Sequence, residues 1–236
     1  MIKIIILLII LIIIIYLIYK SVDYSDNIEY YAITLHSQER IDNMNNQMKK
    51  TNIKLNLIDG VHWKVIDQDY LLKNFILSSS FYNKNDKKRD REIACYNSHL
   101  KIYNLILLSN KKYSVIFEDD FNVISDNLIN DINKILKNME GTDFDIIFLG
   151  NTFFNVGNKY KNNIYEIDKN KETVGCFAYL INNKNIKKII NSTKLIDEPI
   201  DLKMNSLIKT NNLKVYTIHP NIVNYKTEVP SIIRSE

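Results

Sequence analysis

The chain reads as an α/β fold, with helices on both sides of a largely parallel sheet, and three observations carry that reading. Short apolar or alternating runs recur between longer segments whose apolar residues fall at helical spacing. With 236 residues, 46% hydrophobic and 25% charged, there is material for one sizeable core. No repeat, proline-rich linker or low-complexity block divides the chain after its start. Residues 29–236 are therefore read as one domain, preceded by a short linker (21–28) and an apolar segment (1–20).

The first element is "IIILLIILIIIIYLIY", residues 4–19, which holds no charge. Sixteen residues fall slightly short of the roughly 20 that a spanning helix needs. Met1, Ile2 and a snorkelling Lys20 extend the reach, and Tyr16 and Tyr19 suit an interface. The expectation is an uncleaved single-pass transmembrane helix. A cleaved signal peptide is the rival, for which "LIYKSVDYSD" offers only Ser21 and Ser25 as small residues near a cleavage point. Lys3 precedes the run and Asp23, Asp26 and Glu29 follow Lys20. This bias keeps the N-terminus cytosolic and puts the domain on the lumenal or external side of a secretory membrane. The sequon "NST" at Asn191 matters only in that orientation.

The remaining elements follow in order. "YYAITL" (30–35) is strand-like, and "ERIDNMNNQMKK" places Ile41, Met44 and Met48 on one helical face. "IKLNLIDG" (53–60) alternates and stops at Gly60, as a strand and turn do. Residues 61–90 carry little pattern and run into the basic stretch "NKNDKKRDR", read as a loop. From Glu92 to Leu108 a stripe of Ile93, Tyr96, Leu100, Tyr103 and Leu107 predicts a helix. "YSVIFEDD" is a strand, and "DNLINDINKILKNM" a helix with Leu128, Ile132, Ile135 and Leu136 on one side. "FDIIFLG" (144–150), "GCFAYLI" (175–181) and "LKVYTI" (213–218) are further strands, with helices around 183–192 and 200–211.

Charge and motif content exclude several functions. The formal charge is +4, and without Lys3 and Lys20 there remain 29 basic against 27 acidic groups, which leaves no electrostatic footprint for nucleic acid. Five glycines, at 60, 141, 150, 157 and 175, form no phosphate-cradling loop. The histidines at 36, 62, 99 and 219 include no i, i+4 pair for helical zinc, and the neighbours Ser98 and His99 do not face each other on a helix. Two cysteines, Cys95 and Cys176, are too few for a disulfide framework and have no metal-ligand spacing; they are either unpaired thiols or one lumenal disulfide.

The acids Glu118, Asp119 and Asp120 end an apolar strand, and in such sheets ligands gather beyond the carboxyl ends of strands. Gly150–Asn151 occupies a similar place. Along an extended segment Glu118 and Asp120 point one way and Asp119 the other. Paired carboxylates there suit a hard divalent cation, Mg²⁺ or Mn²⁺. A solvated turn or acids favoured by a helix N-terminus are the alternatives on spacing alone.

The series "REIACYNSHLKIYNLIL", "YSVIFEDDF", "FDIIFLG", "VGCFAYLIN" and "EPID", in that order, resembles glycosyltransferase family 25, which includes lipooligosaccharide and procollagen galactosyltransferases. The likeness runs over about residues 30–224, from "YAITL" with Arg40 and "LIDG" through "EIACYNSH" and "FEDD". It implies a GT-A-like, metal-dependent, inverting hexosyltransferase that moves galactose or glucose from a UDP-sugar to a hydroxyl of a glycan or a hydroxylysine-bearing protein. On matching positions, Glu118 and Asp120 become ligands of Mn²⁺ (or Mg²⁺), and Arg40, Glu92, Ser98, His99 and Asp119 become substrate-binding residues. Asp201 becomes the base that deprotonates the acceptor, with Glu198 and Asp197 as rivals. The chain departs from the family pattern at Ala94 (a glycine in the family), at Leu202 after Asp201, and at Ile232 in "PSIIR". The competing functions are a non-catalytic lumenal binding module on the same fold, and a metal-dependent phosphotransferase or nuclease.

Overall fold

The computed structural model describes residues 5, 7–12, 24–86, 88–152, 155–172 and 175–226. Its strands and helices, in chain order, are β1 (Ile28–Thr34), α1 (Gln38–Thr51), β2 (Asn56–Asp59), α2 (Gln68–Lys73), α3 (Ser79–Tyr82), α4 (Arg89–Leu108), β3 (Tyr113–Glu118), β4 (Phe121–Val123) and α5 (Leu128–Asn138). There follow β5 (Ile146–Phe148), β6 (Lys159–Lys161), β7 (Ile164–Glu166), β8 (Ala178–Asn182), α6 (Ile186–Thr193), α7 (Ile200–Lys209), β9 (Val215–Ile218) and β10 (Val223–Tyr225). Eight strands form a central sheet in the order β2-β1-β3-β8-β5-β9-β7-β6, and β4 pairs with β10 in a small ribbon.

The sheet is mixed, which corrects the largely parallel sheet expected from the sequence. Parallel pairs are β1 with β2, β1 with β3 and β5 with β9; the other four pairings are antiparallel. A parallel neighbour needs a long crossover, usually a helix. Between β5 and β8 the chain makes the hairpin β6–β7 instead, so β8 enters between β3 and β5 running the other way. Its entrance, Phe177, therefore lies at the carboxyl edge of β3, where Glu118 N donates to Phe177 O at 3.0 Å.

Period-two alternation along the central strands feeds a core on each face. Val115 and Phe117 of β3, with Ala178 and Leu180 of β8, join Met44 of α1 and Leu128, Ile132 and Leu136 of α5. Ile116, Tyr179 and Ile181 face the opposite core, with Tyr96, Tyr103 and Ile106 of α4, Ile189 of α6 and Met204 of α7. Phe117 stacks on Phe121 with ring centroids 4.3 Å apart, so packing continues from β3 through the acidic turn into β4.

Gly150, which closes "FDIIFLG", serves packing. A Cβ there would lie 2.0 Å from the carbonyl oxygen of Val223, so only glycine lets β10 cross at that point. Beside it, buried Asn151 donates to Thr217 Oγ1 at 2.9 Å and its carbonyl accepts from Asn221 at 3.2 Å. Among the described residues this second strand end holds a polar network.

No helix among the described residues is long and apolar enough to cross a membrane, which overturns the expected single-pass transmembrane helix and the localisation built on it. Residue 5 and residues 7–12 are helical. Lys3, Tyr16, Tyr19, Lys20 and Ser21 lie outside the described residues, as does Ile232. Cys95 and Cys176 are both free thiols. Asn191 is exposed on α6, but Thr193 of its sequon is fully buried and donates to Ile189 O at 2.8 Å.

Candidate functional site

A cleft opens at the carboxyl ends of β1 and β3. It is walled by α4 on one side and by the turn Glu118–Asp120 on the other. α4 can line it because Arg91, Cys95 and Ser98 recur at helical spacing, while Ile93, Tyr96 and Tyr103 are buried in the core.

The three acids of the turn have different surroundings. Asp119 is 5% exposed and its carboxylate accepts from the guanidinium of Arg40, itself 6% exposed, and from Leu35 N at 3.4 Å. Asn43 on the same helix donates to the carbonyls of Asp119 and Phe121, both at 3.0 Å. One turn of α1 thus clamps the strand end. Glu118 and Asp120 both line the cleft, and the Glu118 side chain is 29% exposed.

His99 sits beneath Glu118, fully buried. Its Nδ1 lies 2.7 Å from Tyr179 Oη, and that hydroxyl lies 2.9 Å from Tyr103 Oη. Burial pushes both phenols up, so they remain neutral. His99 Nε2 lies 3.4 Å from Glu118 Oε1 but makes no hydrogen bond. Cys95, one helical turn before His99, completes a group whose Sγ, imidazole and carboxylate donor atoms lie within 4.8 Å of one another.

Two further acids act electrostatically on this centre. Burial raises the Asp201 carboxyl, repulsion from Glu118 raises it further, and His99 opposes the shift. Burial likewise raises Glu92, which also feels Asp201, and Glu92 Oε2 is buried without a hydrogen bond. The Cys95 thiol is pushed well up, first by burial and then by Glu118, Asp201, Asp120 and Glu92. A buried oxygen without a donor beside a crowd of carboxylates is a donor set suited to a cation.

The rival acids near Asp201 are engaged elsewhere. Asp197 receives both its contacts from Lys203 Nζ, at 2.7 and 2.8 Å, and Glu198 accepts from Ser206 Oγ at 2.8 Å. Asp201, in the first turn of α7, accepts from Leu202 N at 2.9 Å. Ser98 donates to Ala94 O at 2.8 Å and accepts from Val61 N at 2.8 Å, so its hydroxyl pins the turn after β2 to α4. Arg40 is turned into its pair with Asp119.

Two cleft residues, Trp63 and Arg91, went unnoticed in the sequence, and Cys95 stands out there only as a free or disulfide-forming thiol. Arg91 lies over the Trp63 ring with Cζ 5.5 Å from the centroid, and Lys64 Nζ lies 5.4 Å from it. Trp63 is the chain's one tryptophan, set in a stretch without periodicity. Cys95 and His99 do stand at i, i+4; a search restricted to histidine pairs passes over them.

A family model described as "Glycosyltransferase family 25 (LPS biosynthesis protein)" matches residues 27–204. A Haemophilus influenzae protein named "Putative glycosyltransferase" is 27% identical over 186 residues, 75% of this chain and 61% of that protein's length. The chain therefore spans about three fifths of that relative. Among solved structures, A197 from STIV gives a TM-score of 0.42 at 13% identity, covering 81% of both chains. S. aureus TarS 1–349 in complex with UDP-GlcNAc gives 0.46 at 10% identity, covering 87% of this chain and 59% of TarS. Structural likeness at this level carries no functional weight.

Proposed function

The chain belongs to glycosyltransferase family 25, and from that premise we propose that its cleft takes a hexose, galactose or glucose, from a UDP-sugar and transfers it with inversion to a hydroxyl of a glycan. Membership supports glycosyl transfer; the donor, the acceptor and the inversion are our reading of the cleft. The observation that carries it is that Glu118 and Asp120 line one cleft against the Ala94–Ser98 turn of α4, with Trp63 and Arg91 in the same cleft.

Each residue has a task in this reading. Trp63 offers an aromatic face to the uracil ring, and the Arg91 guanidinium donates to the diphosphate. Glu118 and Asp120 would hold Mn²⁺ or Mg²⁺, which when bound offsets charge developing on the departing UDP. Asp119, committed to Arg40, holds the turn that presents them. Asp201 takes the proton as the acceptor oxygen bonds to the anomeric carbon; the bond from that carbon to the phosphate oxygen breaks and UDP leaves with the electron pair. Burial makes Asp201 a stronger base than an exposed aspartate. His99, fully buried, sits beneath Glu118.

The test incubates the full chain with UDP-galactose or UDP-glucose and an oligosaccharide from lipooligosaccharide, with Mn²⁺ or with chelator, and reads UDP release and product anomeric configuration by NMR. Metal-dependent release and an inverted product are expected, together with loss of metal-dependent UDP binding in Asp120→Asn. Equal UDP affinity in wild type and Asp120→Asn at saturating Mn²⁺ would remove the metal role. Tight UDP-sugar binding with no transfer would favour a binding module.

A further inference from the structure

We infer that Cys95, His99 and Glu118 form a site for a borderline transition metal of the Zn²⁺ class, bound through thiolate, imidazole and carboxylate with a fourth position open to the cleft. Two observations carry it. The first is the clustering of the three donor atoms within 4.8 Å. The second, independent of it, is the imidazole: His99 is fully buried, yet its Nε2 faces this cluster and makes no hydrogen bond.

The spacing suits such an ion. Nitrogen and oxygen ligands about 2.0–2.1 Å from a tetrahedral zinc lie about 3.4 Å apart. His99 Nε2 and Glu118 Oε1 are 3.4 Å apart. The orientation is fixed from behind, because with Nδ1 protonated and donating to Tyr179 Oη, the Nε2 lone pair is directed at the cluster. Tyr179 can then donate onward to Tyr103. A ligating histidine held through its other nitrogen is the usual arrangement around bound metal. Cys95 and His99, at i and i+4 on α4, present their donors from one helix face, and Glu118 closes the site from the end of β3.

The donor set decides the ion. A hard cation is satisfied by Glu118 and Asp120 alone, whereas a thiolate and an imidazole select Zn²⁺ or Co²⁺ over Mg²⁺ and Mn²⁺. Glu118 belongs to both sets, so the two classes of ion compete for it. Three protein ligands and one open position describe a reactive rather than a purely structural site. The inference stands on the donor geometry and does not require that sugar transfer occur.

Co²⁺ reports the site directly, because thiolate ligation gives a sulfur-to-metal charge-transfer band. Titrating the full, reduced chain with Co²⁺ alone, without nucleotide, is expected to produce this band, and Zn²⁺ should displace it. Cys95→Ser should abolish it, whereas Cys176→Ser and Asp120→Asn should retain it. Tyr179→Phe should keep the band but weaken binding by about 10–100-fold, the scale of losing an outer partner of a ligand. No band in the wild type, or a band that survives Cys95→Ser, overturns the proposal. Should Cys95→Ser fail to fold, the wild type decides: Zn²⁺ must slow alkylation of Cys95, read by peptide mass spectrometry, and an unchanged rate overturns the site. Because no step uses a UDP-sugar, failure here is distinguishable from failure of the transfer reaction.

Discussion

Asp201 differs from its neighbours in what its carboxylate is left to do. Within one turn, Asp197 is neutralised by Lys203 and Glu198 is held by Ser206, while the half-buried Asp201 has no cation paired with it among the described residues and feels the charges of Glu118 and His99. A base must be close to the reacting proton and basic enough to take it. Asp201→Asn preserves size and most hydrogen bonding but cannot accept the proton. Transfer is expected to slow by roughly 10²-fold or more, with donor affinity unchanged. Glu198→Gln should leave turnover near the wild-type value. Because burial raises the Asp201 carboxyl, the acid limb of the wild-type rate profile should lie above the ordinary aspartate range, with activity rising as pH rises through it. The reverse ranking of the two variants would hand the role to Glu198. A limb at the ordinary aspartate value would argue against a desolvated base.

Between elements, the clamp of α1 on the end of β3 sets the acidic turn. Arg40 and Asp119 are both almost fully buried, and removing one partner leaves a buried charge without compensation. Arg40→Ala should therefore cost about 3–5 kcal/mol, whereas the paired replacement Arg40→Met with Asp119→Leu should cost much less. Urea midpoints for the three proteins check this; equal losses would mean that the pair contributes no mutual compensation. The sequence expressed the long elements well. α1, α4 and α5 carry enough apolar residues at helical spacing to announce themselves, and β1, β3 and β8 are apolar enough to be read as strands. It did not express β4, β6, β7 and β10, because three residues are too few for a period. Nor did it express the direction of β8, because "AYLIN" is equally buried whichever way it runs. In the cleft, the acids were legible because charge at the end of an apolar strand is conspicuous. Trp63 and Arg91 were not, since tertiary packing alone brings their loop and helix together. Arg40 was legible as a residue, but its burial against Asp119 depends on a contact 79 positions away.

At the scale of the molecule, two cores hold the sheet from both faces, and at the carboxyl ends of its strands Glu118 and Asp120 line the cleft while Asp201 is coupled electrostatically to Glu118, and Glu92 to Asp201. The formal charge of +4 is modest, so overall repulsion is not what sets the pH response of folding. The local acids matter more. Burial raises Glu92 and Asp201 above their ordinary values, so the folded chain binds these protons more tightly than the unfolded chain. Where the folded state holds more protons, stability falls with rising pH. The contribution from these two groups is therefore fully present below the ordinary carboxylate range and is lost as pH climbs through their raised values. Glu92→Gln removes one such charge and gives the buried Oε2 position no charge to desolvate. The variant should melt higher than wild type at neutral pH, by at most a few degrees because solvent screens a partly exposed carboxylate. The two melting curves should converge as pH drops below the ordinary glutamate range, where both side chains are neutral. Differential scanning calorimetry across that interval reads the difference, and a variant less stable than wild type at neutral pH would show that Glu92 holds a stabilising charge contact in the folded cleft.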